Sequence, residues 1–119
     1  MRDHRKLQAF QLADELVVVV YRQTDNMPRH ERFGLTAQLR RAALSVASNI
    51  VEGCARHSQS DYLRFLDMAY GSARELEYQL SLTLRLGFLE RPAYEAILNL
   101  ATQTCKVLNS LIRSLRHHS

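Results

Sequence analysis

The chain has 119 residues, 46% of them hydrophobic and 24% charged, with a formal net charge of +4 and a pI near 9.4. That balance is the one of a soluble globular protein rather than a disordered chain, and it allows one hydrophobic core built without staples. No apolar run nears the roughly 18 residues a bilayer requires, and the two cysteines, Cys54 and Cys105, lack metal or redox spacing and read as small buried hydrophobes.

A first helix is predicted from Lys6 to Thr24, where Leu7, Phe10, Ala13, Val17, Val20 and Tyr21 recur at helical spacing. Asp25-Asn26-Met27-Pro28 ends it, because the residue before proline resists the α conformation. Leu16 to Tyr21 is apolar right round the helix, more than one buried face requires. The basic N-terminus leads into Gln, Asp and Glu rather than an apolar stretch, so no signal peptide is expected and the cytoplasm is the expected location.

The second helix is expected from Glu31 to Cys54, with Leu35, Leu39, Ala42, Val46, Asn49 and Gly53 as its core stripe. Each residue advances about 100°, so Phe33, Leu44 and Val51 fall on the opposite side, flanked by Ala37 and Ala47. A helix apolar on two sides is either central to a large core or buried against another subunit, and a small bundle has no central helix. Phe33, Leu44 and Val51 are therefore expected to anchor self-association, with Arg40 and Arg41 beside them.

A third helix opens after Ser58, whose hydroxyl can cap the turn that contains Asp61, and stops at Gly87. Its seam is Tyr62, Leu66, Ala69, Ala73, Leu76, Leu80 and Thr83. The fourth begins at Pro92, a residue suited to the first helical position, and buries Tyr94, Ile97, Ala101, Thr104, Leu108, Leu111 and Leu115. Four such stripes joined by short loops imply an all-α fold, an antiparallel up-down-up-down four-helix bundle occupying 1–119 as a single domain.

Within the second helix, "SVASNIVEG" at 45–53 places Asn49 on the expected core stripe. A buried amide left unpaired costs ~1–3 kcal/mol, so Asn49 should satisfy or position a facing helix, while Gly53 admits that helix closely. Gly71 costs ~1 kcal/mol against alanine in a helix interior, which suggests a second close approach. Glu75 is expected to pair with an arginine such as Arg40, Arg41 or Arg74, and Glu52 to join the same network.

The stretches "LQAFQLADELVVVVY", "ERFGLTAQLRRAALSVASNIVEG", "FLDMAYGSARELEYQL" and "LGFL" together resemble the four-helix-bundle proteins encoded within intervening sequences of bacterial 23S rRNA genes, also called S23-like. The family usually has a proline where this chain has Ala47 and often a tryptophan at Phe10; without the proline ring the second helix should run straighter. The resemblance implies a homo-oligomer, a ring-like pentamer. It also implies kinship with the accessory proteins of diversity-generating retroelements, which bind nucleic acid and a reverse transcriptase.

No catalytic or cofactor constellation emerges. A di-iron bundle needs Glu-x-x-His pairs, and none occurs. Cys54 and His57 straddle a helix end without an orienting acid, so no enzyme activity, metal or cofactor is expected. The basic ends are the stronger candidates. In an antiparallel bundle Arg2, Arg5, Lys6, Arg113 and Arg116, with His4, His117 and His118, share one end and suit a phosphate backbone. No aromatic is interleaved with them, which disfavours base stacking. Two readings follow: a homo-oligomer that binds structured RNA, or DNA, through arginine patches, and an adaptor oligomer whose arginines serve subunit contacts or a protein partner.

Overall fold

The computed structural model describes residues 2–117. Its helices are α1 (Gln8–Thr24), α2 (Leu35–Cys54), α3 (Gln59–Arg85) and α4 (Arg91–His117), with short 3-10 turns at His4–Lys6 and Arg29–Glu31. Each helix packs on its two neighbours in the order α1–α2–α3–α4–α1, giving a square antiparallel bundle with principal extents of 45 × 21 × 19 Å. Among the described residues, no helix is long and apolar enough to cross a membrane.

Local chemistry places the ends. The Ser58 hydroxyl accepts the Asp61 N–H at 3.1 Å and starts α3. Gly87, at φ 75°, sits in the left-handed region that closes α3; the Phe88 N–H reaches the Thr83 carbonyl and the Gly87 N–H that of Leu84. The first two helices begin later than their periodicity suggests. Asp3 caps the 3-10 turn at His4–Lys6, so α1 starts only after Leu7. The Glu31 carboxylate accepts the Leu35 N–H at 3.0 Å and holds residues 29–34 outside α2.

The core has two clusters along the bundle. One, at the end holding both termini, gathers Ala9, Ala13, Val46, Ile50, Leu66, Ala69, Leu108 and Ile112; the other gathers Leu16, Val20, Leu39, Leu76, Leu80 and Ile97. Each fully buried leucine contributes about 1.5–3 kcal/mol. Buried Thr24, Thr83 and Thr104 return their hydroxyl protons to carbonyls one turn earlier, at 2.6 to 2.7 Å, so the core carries their polarity without loss.

Several positions differ from the periodicity reading. Tyr21 is exposed, and the inner face of α1 is Ala9, Ala13, Leu16, Val20 and Thr24. On α2 the core position after Val46 belongs to Ile50; Asn49 lies half-buried at its edge, and Ala47 faces inward rather than flanking the outer side. The shifts at Tyr21 and Asn49 have one cause: an α-helix turns in 3.6 residues, so a stripe drawn at heptad steps drifts off the buried face. Gly71 is exposed, and a Cβ there would meet nothing within 4 Å, so no neighbour in the chain requires it.

Candidate assembly face and basic end

The outward side of α2 is built from Phe33, just before the helix, then Ala37, Leu44, Ser48, Val51 and Ala55. Phe33 is 86% exposed and Leu44 49%; Ser48 and Ala55 are exposed, and Ala37 and Val51 half-buried. The row itself is apolar except for small Ser48, and exposed Gln38, Arg41 and Glu52 border it on one side. From Ala37 onward the spacing runs in sevens or their four-plus-three parts, the seam of a helix that packs on another helix. Exposed Tyr21 on α1 and exposed Met68 and Tyr78 on α3 add further apolar surface. A groove of about 490 Å³ runs over this face, lined by Tyr21, Phe33, Ala37 and Leu44 together with Arg32 and Arg40.

Arg40 and Arg41 flank the seam, and both are engaged within the chain. Arg40 donates to the Thr24 hydroxyl at 3.0 Å, the Tyr21 carbonyl at 3.2 Å and Asp25 at 3.2 Å, with its guanidinium 4.7 Å from the Tyr21 ring centroid. It thereby satisfies the Tyr21 carbonyl in the last turn of α1. Arg41 donates to Gln38 at 2.7 Å and pairs with Glu75 of α3 at 3.2 Å. That pair is solvent-exposed and worth under about 1 kcal/mol. Arg74 pairs with Glu77 instead, and the Glu52 side chain lies exposed outside the network, only its carbonyl accepting from Arg56.

Asn49 meets α3 indirectly. Its amide donates to the Ser45 carbonyl at 2.9 Å and to the Ser45 hydroxyl at 3.1 Å, and that hydroxyl lies 2.8 Å from the Ser72 hydroxyl on α3. Asn49 thus orients the serine that links the two helices. Gly53 is where they come closest: an added Cβ would lie 2.9 Å from the Phe65 Cβ and 3.3 Å from a Tyr62 ring carbon.

The two termini lie at one end of the bundle, beside the α2–α3 loop. Three of the arginines there have carboxylates: Arg5 with Asp3, Arg64 with Asp61 and Arg116 with Asp67. The Arg5 guanidinium holds the Asp3 carboxyl below its ordinary range. Arg2, Lys6, Arg56 and Arg113 have no carboxylate at ion-pair distance among the described residues. Arg2 donates to the Arg56 carbonyl at 3.1 Å and stacks 3.9 Å from the Tyr62 ring centroid, while Arg56 lies 4.8 Å from that of Phe65. Arg56 and Arg64 were not read as part of this end from the sequence, although the up-down topology puts the α2–α3 loop there. His118 lies outside the described residues.

Burial pushes the Cys54 thiol above its ordinary pKa and, with Glu77 alongside, pushes Cys105 up to about 12. Both stay protonated near neutrality, the reverse of an activated nucleophile. Among the described residues, no group of three His, Cys, Asp or Glu side chains is placed to hold a metal.

A four-helix bundle with a largely apolar outer seam and one cationic end is the class of protein that this geometry defines. The family model of the 23S rRNA-intervening sequence protein matches residues 5–110, and the chain belongs to that family. The fold is also that of a crystal structure from Bacteroides thetaiotaomicron, a protein with unknown function from the S23 ribosomal protein family. The two share 28% identity and superpose with a TM-score of 0.82, over 88% of this chain and 95% of the other. No curated protein matches the chain. The matched span contains the whole outer seam of α2, whereas Arg2, Arg113 and Arg116 lie beyond it.

Proposed function

We propose that this chain is a non-enzymatic homo-oligomer that binds structured RNA, the outer seam of α2 joining the copies and each copy contributing its basic end. The observation that carries the RNA reading is the set of four cations, Arg2, Lys6, Arg56 and Arg113, that have no carboxylate partner among the described residues at one end of the bundle. A closed ring, of five copies if the family resemblance extends to assembly, repeats that end and turns weak phosphate contacts into one multivalent surface. Contacts of this kind follow the backbone rather than base sequence. The family's setting within rRNA genes agrees with such a target.

Fluorescence anisotropy of a structured rRNA fragment across a salt series tests the proposal. The expected result is binding that weakens steeply with salt, with a shallower log–log slope in Lys6→Glu/Arg113→Glu, where phosphate contacts are lost. Absence of binding at low salt overturns it. The alternative, an adaptor oligomer for a protein partner, is favoured by one specific observation: Arg5, Arg64 and Arg116 are already neutralised within the chain.

A further inference from the structure

Beside the α2–α3 loop, Arg2, Ala55, Arg56 and His57 line a recess of about 350 Å³. Its two guanidinium groups are held from behind. Arg2 is fixed by the Tyr62 ring and the Arg56 carbonyl; Arg56 is fixed by the Phe65 ring and by donating its Nε–H to the Glu52 carbonyl at 3.3 Å. Such anchoring removes rotamer freedom before any ligand arrives, which lowers the entropic cost of binding. The nearby carboxylates do not fill the recess: Asp3 is engaged by Arg5, Asp61 by Arg64, and the Glu52 side chain is exposed outside the lining.

We propose that this recess is a site for a terminal phosphate monoester of RNA. The inference rests on the RNA reading above and names a subsite within it. Two guanidinium groups, each held by an aromatic ring and a backbone carbonyl, match a dianion in charge, and a monoester carries close to two negative charges where an internal phosphodiester carries one. The hydrogen bond from Arg2 to the Arg56 carbonyl ties the N-terminal strap across one side of the recess.

The test compares one RNA hairpin bearing a 5′-phosphate with the same hairpin bearing a 5′-hydroxyl, by anisotropy on the full-length protein. The phosphorylated hairpin should bind about tenfold more tightly. Arg2→Gln/Arg56→Gln should abolish that preference, weakening the phosphorylated hairpin about tenfold more than the hydroxyl form, and Arg56→Gln alone serves if removing Arg2 loosens the strap. Lys6→Glu/Arg113→Glu should weaken both hairpins by a similar factor and leave the preference intact. Equal binding of both hairpins by the unaltered protein overturns the site but leaves RNA binding standing, as does a preference that survives Arg56→Gln in a folded protein. Binding of neither hairpin overturns the RNA reading and this subsite with it.

Discussion

Helices α2 and α4 occupy equivalent places in the square bundle, yet they face the solvent differently. The outward side of α4 carries Glu95, Asn99, Gln103, Lys106, Asn109, Ser110 and Arg113, as expected of a helix bounded by water. The outward side of α2 carries Phe33, Ala37, Leu44, Val51 and Ala55, with polar Ser48 among them and exposed Gln38, Arg41 and Glu52 along one edge. Both bury a full inner stripe, Leu39, Val46 and Ile50 on one and Ile97, Ala101 and Leu108 on the other. The bundle's own stability therefore does not call for the outer residues of α2. They are a second, mainly apolar surface on a helix that has already buried its first.

Two leucines on α2 itself probe that difference most strongly. Leu39 is fully buried, so Leu39→Ala should cost about 2–5 kcal/mol in a urea melt. Leu44 is half exposed, and Leu44→Ala should alter the stability of the dispersed chain by no more than about 0.5 kcal/mol. Equal costs in dispersed chains would mean that the outer face belongs to the bundle's own core.

The glycines set up a smaller contrast. At Gly53 a Cβ collides with the Cβ of Phe65, a group that cannot swing away, so Gly53→Ala should destabilise by about 1–2 kcal/mol despite its better helix propensity. At Gly71 the same change meets open space and should stabilise the dispersed chain by about 0.5–1 kcal/mol. Thermal melts decide both, and a stabilising Gly53→Ala would rule out the close approach of α2 and α3.

The smallest expected signal is chemical. Cys54 and Cys105 are buried with raised pKa values, so a thiol reagent at pH 8 should modify them only as fast as the chain opens. The unfolded chain releases these protons near pH 9, whereas the folded chain holds that of Cys105 to about 12. Their contribution to stability is therefore present below about pH 9 and declines as pH rises above it. Rapid modification of the native protein would show that the inner faces of α2 and α4 are not sealed.

The same contrast marks how far the sequence could be read. Gly87, Ser58 and the long apolar stripes announce the bundle because local chemistry settles them: a positive φ, a hydroxyl cap and a 3.6-residue period. The outer face of α2 was legible too, since Phe33, Leu44 and Val51 stand about 180° from the inner stripe. Asn49 and Gly71 were misplaced, because their surroundings depend on a small angular drift and on the neighbouring helix. The recess at Arg2 and Arg56 was invisible, since it joins residues 54 positions apart through a ring stack and one carbonyl.

Whether the outer face of α2 joins copies of this chain is decided by a mass in solution. Multi-angle light scattering on the eluting protein should give a multiple of 13.7 kDa for the unaltered chain, and 13.7 kDa for Leu44→Glu with undiminished helicity. A monomeric unaltered chain at micromolar concentration, or an oligomer indifferent to Leu44→Glu, would refute that role for the seam.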